Sequence, residues 1–181
     1  MTYLMIRKVM SSQLRDDRCW YSDSITFLEG LLMKIDNVLL DNLTAQAQAS
    51  PRLRMNLDLR NSDGDSSQRM LNAIEPGSVI PIHRHRRTSE TVVVLRGRAV
   101  QHLYDVEGRL VGSVLLTPLV GCPVKPDVTE GDGLSRGIGI PAMNVEMGQW
   151  HRLESLESGT VILEMKDGAY EPIGKEDMIV L

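Results

Sequence analysis

Apolar and polar residues alternate in short runs along most of the chain, and one segment keeps a helical period instead. Between Ile35 and Ala49, the apolar residues Ile35, Val38, Leu39, Leu43 and Ala47 recur at helical spacing. Asp36 can cap the start and Pro51 stands just past the end. This predicts one amphipathic helix lying against a sheet. From Arg52 to Arg60 the period drops to two. Leu53, Met55, Leu57 and Leu59 share one face, and Arg52, Arg54, Asn56, Asp58 and Arg60 share the other. This is a half-buried strand, and its charged face reads most simply as solvated.

The alternation continues through Gln68–Ile74, the run from Gly77 to His85, Thr91–Leu95, Arg98–Tyr104, Arg109–Leu116, Ile138–Val145 and Thr160–Lys166, with turn residues between them. Asn61–Ser67 is one such turn. Its acidic spacing lacks the distal Glu of a calcium loop. Pro118–Gly139 has no period and reads as a long loop. On the last strand, Glu164 and Lys166 flank Met165 and read as a surface ion pair. One helix followed by many short strands predicts an all-β barrel or sandwich. Residues 1–32 lack sustained periodicity. They are expected to be an N-terminal extension, with a single domain spanning 33–181.

Composition narrows the function classes without choosing one. Twenty Lys and Arg against 24 Asp and Glu give a net charge of −4, which offers no support for general nucleic-acid binding. No apolar run is long enough to cross a bilayer, and the first residues lack the apolar stretch of a secretory signal. The expected location is cytoplasmic. Cys19 and Cys122 stand alone and form neither a CxxC pair nor a disulfide framework.

The chemistry concentrates in the stretch from Gly77 to Gly97. His83 and His85 are two residues apart in an extended run, so both look the same way. Arg86–Ser89 reads as a turn, and Glu90 opens the next strand. If the two strands pair, the Glu90 carboxylate comes beside both imidazoles. Two imidazoles and a carboxylate with open positions suit a divalent transition metal. Other candidates for the surrounding pocket follow from strand parity. His102 shares a face with Tyr104 and could line it. Arg52, Arg54 and Arg69 could hold a phosphate or carboxylate if their faces turn inward. Lys166 is a further candidate on the last strand.

The whole stretch resembles the first signature of the cupin superfamily: Gly, five residues, His-x-His, three or four residues, Glu, six residues, Gly. Gly77, His83, His85, Glu90 and Gly97 fill every position. The second cupin signature contains Gly-x-x-His, which Gly148-Gln-Trp-His151 supplies, with Glu146 where the family usually has Pro and Ser155 where it often has Asn. The resemblance implies a double-stranded β-helix, a jelly-roll barrel with the one helix at its N-terminal side. It also adds His151 to His83, His85 and Glu90 as the fourth ligand of one metal ion, which could be Fe, Mn, Ni, Co or Zn. A homodimer is the expected assembly for such a protein.

The segments Ala49–Asn56, Ser67–Gly77, Ile82–Glu90 and Leu156–Tyr170 together are similar to the cupin-fold metalloproteins of the WbuC family, over roughly residues 33 to 173. That family is associated with bacterial surface-polysaccharide gene clusters. The likeness implies a metalloenzyme acting on a sugar or nucleotide-sugar, as an isomerase or epimerase. Two alternatives stand beside it: an Fe(II)-dependent dioxygenase, and a non-catalytic sugar-binding or sensing cupin.

Overall fold

The computed structural model describes residues 32–119 and 139–179. The expectations for residues 1–31 and for most of the 118–139 loop lie outside the described residues. From Ile35 onward the chain forms one compact unit. Among the described residues, no helix is long and apolar enough to cross a membrane.

Helix α1 spans Asn37–Ala49, and Asp36 caps it by accepting the Leu39 amide at 3.0 Å. Its buried face is Leu40, Leu43, Thr44 and Ala47, while Ile35 and Val38 are exposed. The helical period read from the sequence is therefore right in spacing and rotated in phase. Leu40 replaces Val38 because the stripe 40, 43, 44, 47 points at the sheet.

Ten strands follow: β1 (Arg54–Asp58), β2 (Ser67–Ile74), β3 (Ile82–His83), β4 (Glu90–Arg96), β5 (Ala99–Tyr104), β6 (Leu110–Leu116), β7 (Ala142–Val145), β8 (Trp150–Ser155), β9 (Thr160–Asp167) and β10 (Met178–Ile179). They build two five-stranded sheets, ordered β1-β2-β9-β4-β7 and β10-β3-β8-β5-β6, and every strand pair in them is antiparallel. The all-β, two-sheet jelly-roll architecture, with a single α-helix among the described residues, is thus the observed one.

Sheet one buries both faces. Its outer face carries Leu71, Ala73 and Val161, with Met55 and Leu57 of β1 beside them, and the helix packs Leu40, Leu43 and Ala47 onto it. Arg96 fastens the helix down, donating to the Leu40 carbonyl at 3.0 Å and the Thr44 hydroxyl at 2.7 Å. The inner face of sheet one meets sheet two in a second core of Ile74, Val92, Val94, Ala99, Leu116, Leu153 and Ile162. Gly97 makes the β4–β5 connection possible. Its φ is +78°, and a Cβ there would lie 2.7 Å from the Thr160 Cα.

One expectation about pairing is corrected. The His83 strand and the Glu90 strand do not form a hairpin. β3 pairs with β8 and β10 in sheet two, whereas β4 pairs with β9 and β7 in sheet one. The short polar connection between them crosses from one sheet to the other, so Glu90 reaches the imidazoles from the opposite wall of the barrel.

Candidate metal centre

The ligand candidates come from four places in the chain. His83 on β3 stands directly opposite His151 on β8, so both side chains leave the same face of sheet two. His85 follows just past β3, and its carbonyl accepts the Gly148 amide at 2.8 Å, which ties the two histidine-bearing segments together. Glu90, the first residue of β4, approaches from sheet one. Ring centroids are 4.4 Å apart for His83 and His151, 5.2 Å for His83 and His85, and 5.6 Å for His85 and His151. One ligand atom from each of the four residues lies within 4.8 Å of the others.

Hydrogen bonds fix which imidazole nitrogens face the centre. His83 Nδ1 is 3.0 Å from the Pro81 carbonyl, and His151 Nδ1 is 2.8 Å from the Gln149 carbonyl. A carbonyl oxygen only accepts, so each Nδ1 carries the proton and each Nε2 keeps its lone pair. His151 Nε2 is buried and has no hydrogen-bond partner. A buried nitrogen left this way costs free energy unless something accepts its lone pair. His85 Nε2 lies 2.9 Å from Glu90 Oε2 and 3.2 Å from Lys166 Nζ. It can donate to the first or accept from the second, but not both at once.

Charge states agree with this geometry. Burial, and then the neighbouring His151, lower the His83 pKa to about 4, so the ring is neutral at neutral pH. Burial also lowers the His151 pKa. For Glu90, burial pushes the pKa up, but the His85 hydrogen bond and the Lys166 charge outweigh it, and the carboxyl stays ionised. Burial pulls the Lys166 pKa down, but the Glu164 and Glu90 charges outweigh it and hold the ammonium protonated. Neutral imidazoles with inward lone pairs, beside an ionised carboxylate, are the protonation states a divalent metal requires. These four residues could hold such an ion.

The centre opens into a cavity of ≈ 660 Å³. Its wall contains the inner faces of β1, β2 and β9. Arg52 and Arg54 line it, as does Lys166, whose Nζ is 2.8 Å from Glu164 Oε1 and 3.4 Å from Glu90 Oε2. The expected surface pair of Glu164 and Lys166 is therefore an internal one, whereas the polar face of β1 lines the cavity with Asn56 and Asp58 still exposed. The remaining pocket candidates lie elsewhere. His102 faces away, its Nδ1 2.8 Å from the Ser113 hydroxyl and its Nε2 3.4 Å from Glu154. Tyr104 is buried with Ile82 and Trp150 in a small apolar cluster. Arg69 points to the outer side of β2 and pairs with Asp65 at 2.7 Å. Parity explains all three. On β5 it is Gln101 that turns inward, and on β2 it is Gln68, Met70 and Asn72 that line the cavity.

Sequence reasoning passed over Gln101, Gln68 and Asn72. Gln68 and Asn72 hold Glu164, donating to its two oxygens at 3.3 and 3.1 Å. The available signal was strand parity: both sit at even spacing from Ile74, an inward residue.

A family model described as a domain of unknown function (DUF6016) matches residues 35–116. No curated protein matches the chain. Among solved structures, KdgF from Halomonas sp. is similar at 15 % identity, covering 67 % of this chain and 84 % of that one, with a TM-score of 0.42. A sugar phosphate isomerase of the cupin superfamily from Silicibacter pomeroyi is similar at 18 % identity over 63 % and 59 % of the two chains, TM-score 0.42. A cupin-2 domain protein from Rhodospirillum rubrum follows at 12 % identity over 68 % and 66 %, TM-score 0.44.

Proposed function

We propose that this chain is a cupin-type metalloenzyme that holds one divalent transition metal on His83, His85, Glu90 and His151. Its substrate is a small sugar or nucleotide-sugar derivative of surface-polysaccharide synthesis, and its reaction is an isomerisation or epimerisation. The observation that carries the metal assignment is the convergence of three imidazoles and one ionised carboxylate at the cavity wall, with the His151 Nε2 lone pair buried and unpaired. The substrate class rests on the resemblance to the WbuC family.

A bound ion would supply Lewis-acid polarisation of a substrate oxygen. The chain's own residues do the rest. Pro81 and Gln149 carbonyls hold the His83 and His151 rings in the tautomer that keeps each Nε2 lone pair inward. Lys166 and Glu164 place a paired ammonium and carboxylate on the cavity wall, where the ammonium can hand a proton to a substrate oxygen and the carboxylate can take one from a substrate carbon or oxygen. Burial and the nearby Glu90 raise the Glu164 pKa, which moves this carboxyl toward the range of a working acid or base.

Elemental analysis of protein purified without a metal-affinity tag tests the reading, beside its His83→Ala variant. The expected result is close to one equivalent of a single transition metal, lost in the variant while the β-sheet circular dichroism persists. Full metal content in His83→Ala would overturn the site. Iron accompanied by substrate-dependent oxygen uptake would replace isomerisation with oxygenation.

A further inference from the structure

We propose that the cavity is built for a small anionic ligand, with its phosphate or carboxylate on Arg54 and Arg52 at the β1 wall and a hydroxyl or carbonyl oxygen on the Gln101 amide. This deepens the functional reading above and rests on the cavity being the ligand site beside the metal centre.

Two independent observations carry it. The first is the charge pattern of the wall. Each carboxylate that lines the cavity already faces a cation. Asp58 pairs with Arg60 at 2.6 Å, Glu90 and Glu164 pair with Lys166, and Glu171 pairs with Arg87. Arg52 and Arg54 make no ion pair among the described residues. Arg54 is oriented by neutral acceptors, donating through Nη1 to the Ser78 hydroxyl at 3.2 Å and to the Val79 carbonyl at 2.7 Å. Its remaining donors have no such anchor in the hydrogen-bond network, and Arg52 brings a second positive charge close enough to lower the Arg54 pKa alongside burial. Both arginines line the same cavity and neither meets a carboxylate among the described residues, which leaves their guanidinium donors available to an oxyanion.

The second observation is Gln101. It is 1 % exposed and lines the cavity, yet neither its amide nitrogen nor its amide oxygen has a hydrogen-bond partner. Buried amides are almost always paired. Gln101 sits opposite Leu153, two residues along β8 from His151 on the same face. Its unpaired donor pair and acceptor lie just behind the cavity surface, on the same face of sheet two as His151. A hydroxylated acid or sugar phosphate can satisfy both ends of the amide, an apolar ligand satisfies neither, and a cationic ligand would be repelled by Arg52 and Arg54.

The test is calorimetric titration of the metal-analysed protein with glucose 6-phosphate, glucuronate and glucose, repeated on Arg54→Gln, Arg52→Gln and Gln101→Leu. Binding of at least one charged sugar with tenfold or greater preference over glucose is expected. Which of the two charged sugars binds decides between phosphate and carboxylate. Arg52→Gln and Arg54→Gln should each lower that affinity at least fivefold, and Gln101→Leu about tenfold, with metal content unchanged. Arg52 is exposed, so its variant reports even if the Arg54 change disturbs the Ser78 and Val79 contacts. Equal binding of glucose, no binding of any of the three, or unchanged affinity in both Arg52→Gln and Gln101→Leu would overturn the proposal. Absence of metal together with intact charge-selective binding would sink the metal reading and leave this one standing.

Discussion

The two ends of the barrel interior are lined by the same strands and made of opposite materials. At one end, Val92 and Val94 of β4, Ile162 of β9, Leu153 of β8 and Ile74 of β2 close an apolar core, of which Ile74, Leu153 and Ile162 also form the cavity floor. A step or two along those strands stand Glu90, Glu164 and Lys166, His151 and Asn72, all lining the cavity. Each strand changes character at about the same level, so the barrel is divided across its length. The apolar end supplies the free energy that holds the sheets together, at about 25 cal/mol per Å² of apolar surface buried. The polar end draws on that stability to keep charged and unpaired groups close. The lesson is that stability and chemistry are separable here by position along a strand, and substitutions should sort accordingly.

The largest effect is expected at the polar end. Changing His151 to Ala should abolish stoichiometric metal binding, and chelation of the wild-type protein should lower its melting temperature by roughly 10 °C, since a tightly held ligand contributes about 4 kcal/mol at a thousandfold excess over its dissociation constant. Metal analysis and thermal melts check both, and a melt indifferent to chelator would dissolve the comparison. Next comes the apolar end. Leu116→Ala removes a fully buried side chain and should cost about 3 kcal/mol in urea unfolding, while the surviving folded protein still takes up one metal.

A smaller and graded effect is expected with pH in the metal-free protein. The His83 pKa falls from 6.5 to about 4 on folding. Between those values the unfolded chain binds the proton and the folded chain does not, so stability rises with pH across this window and is lost as pH falls through it. Full protonation should remove up to about 3 kcal/mol from this group, and His83→Gln should flatten that part of the profile. The smallest effect is expected from His102→Ala. This residue is on β5 beside Gln101 but faces away from the cavity. Metal content should not change and stability should move by about 0.5 kcal/mol or less. A loss of metal on that change would show that the two faces of β5 are not independent.

Much of this was legible in the chain. Alternation and turn residues gave the all-β class and nearly every strand, and Asp36 marked the start of the helix. The resemblance of Gly77, His83, His85, Glu90 and Gly97 to the cupin signature pointed to the candidate ligand cluster before any fold was known. What was not legible has physical causes. A strand with one polar face reads the same whether that face meets bulk water or a wet cavity, which is why Arg54, Glu164 and Lys166 looked superficial. Sheet membership was hidden too. Neighbouring strands usually pair, and nothing in Arg86–Ser89 announces that the chain crosses to the other sheet. Gln101 was passed over because it stands beside His102, and two adjacent polar residues do not show which of them faces inward.

The crossing between sheets has a mechanical meaning. His83, His85 and His151 belong to the sheet-two side, and Glu90 belongs to sheet one. An ion held by all four would therefore be a rivet through both walls, closing the barrel at the end where no apolar core does so. Breathing of that end would then be governed by metal occupancy, and breathing of the other end by packing. Amide exchange in β3 and at the start of β4 should slow when metal is added, while exchange around Val94 and Ile162 should stay as it was.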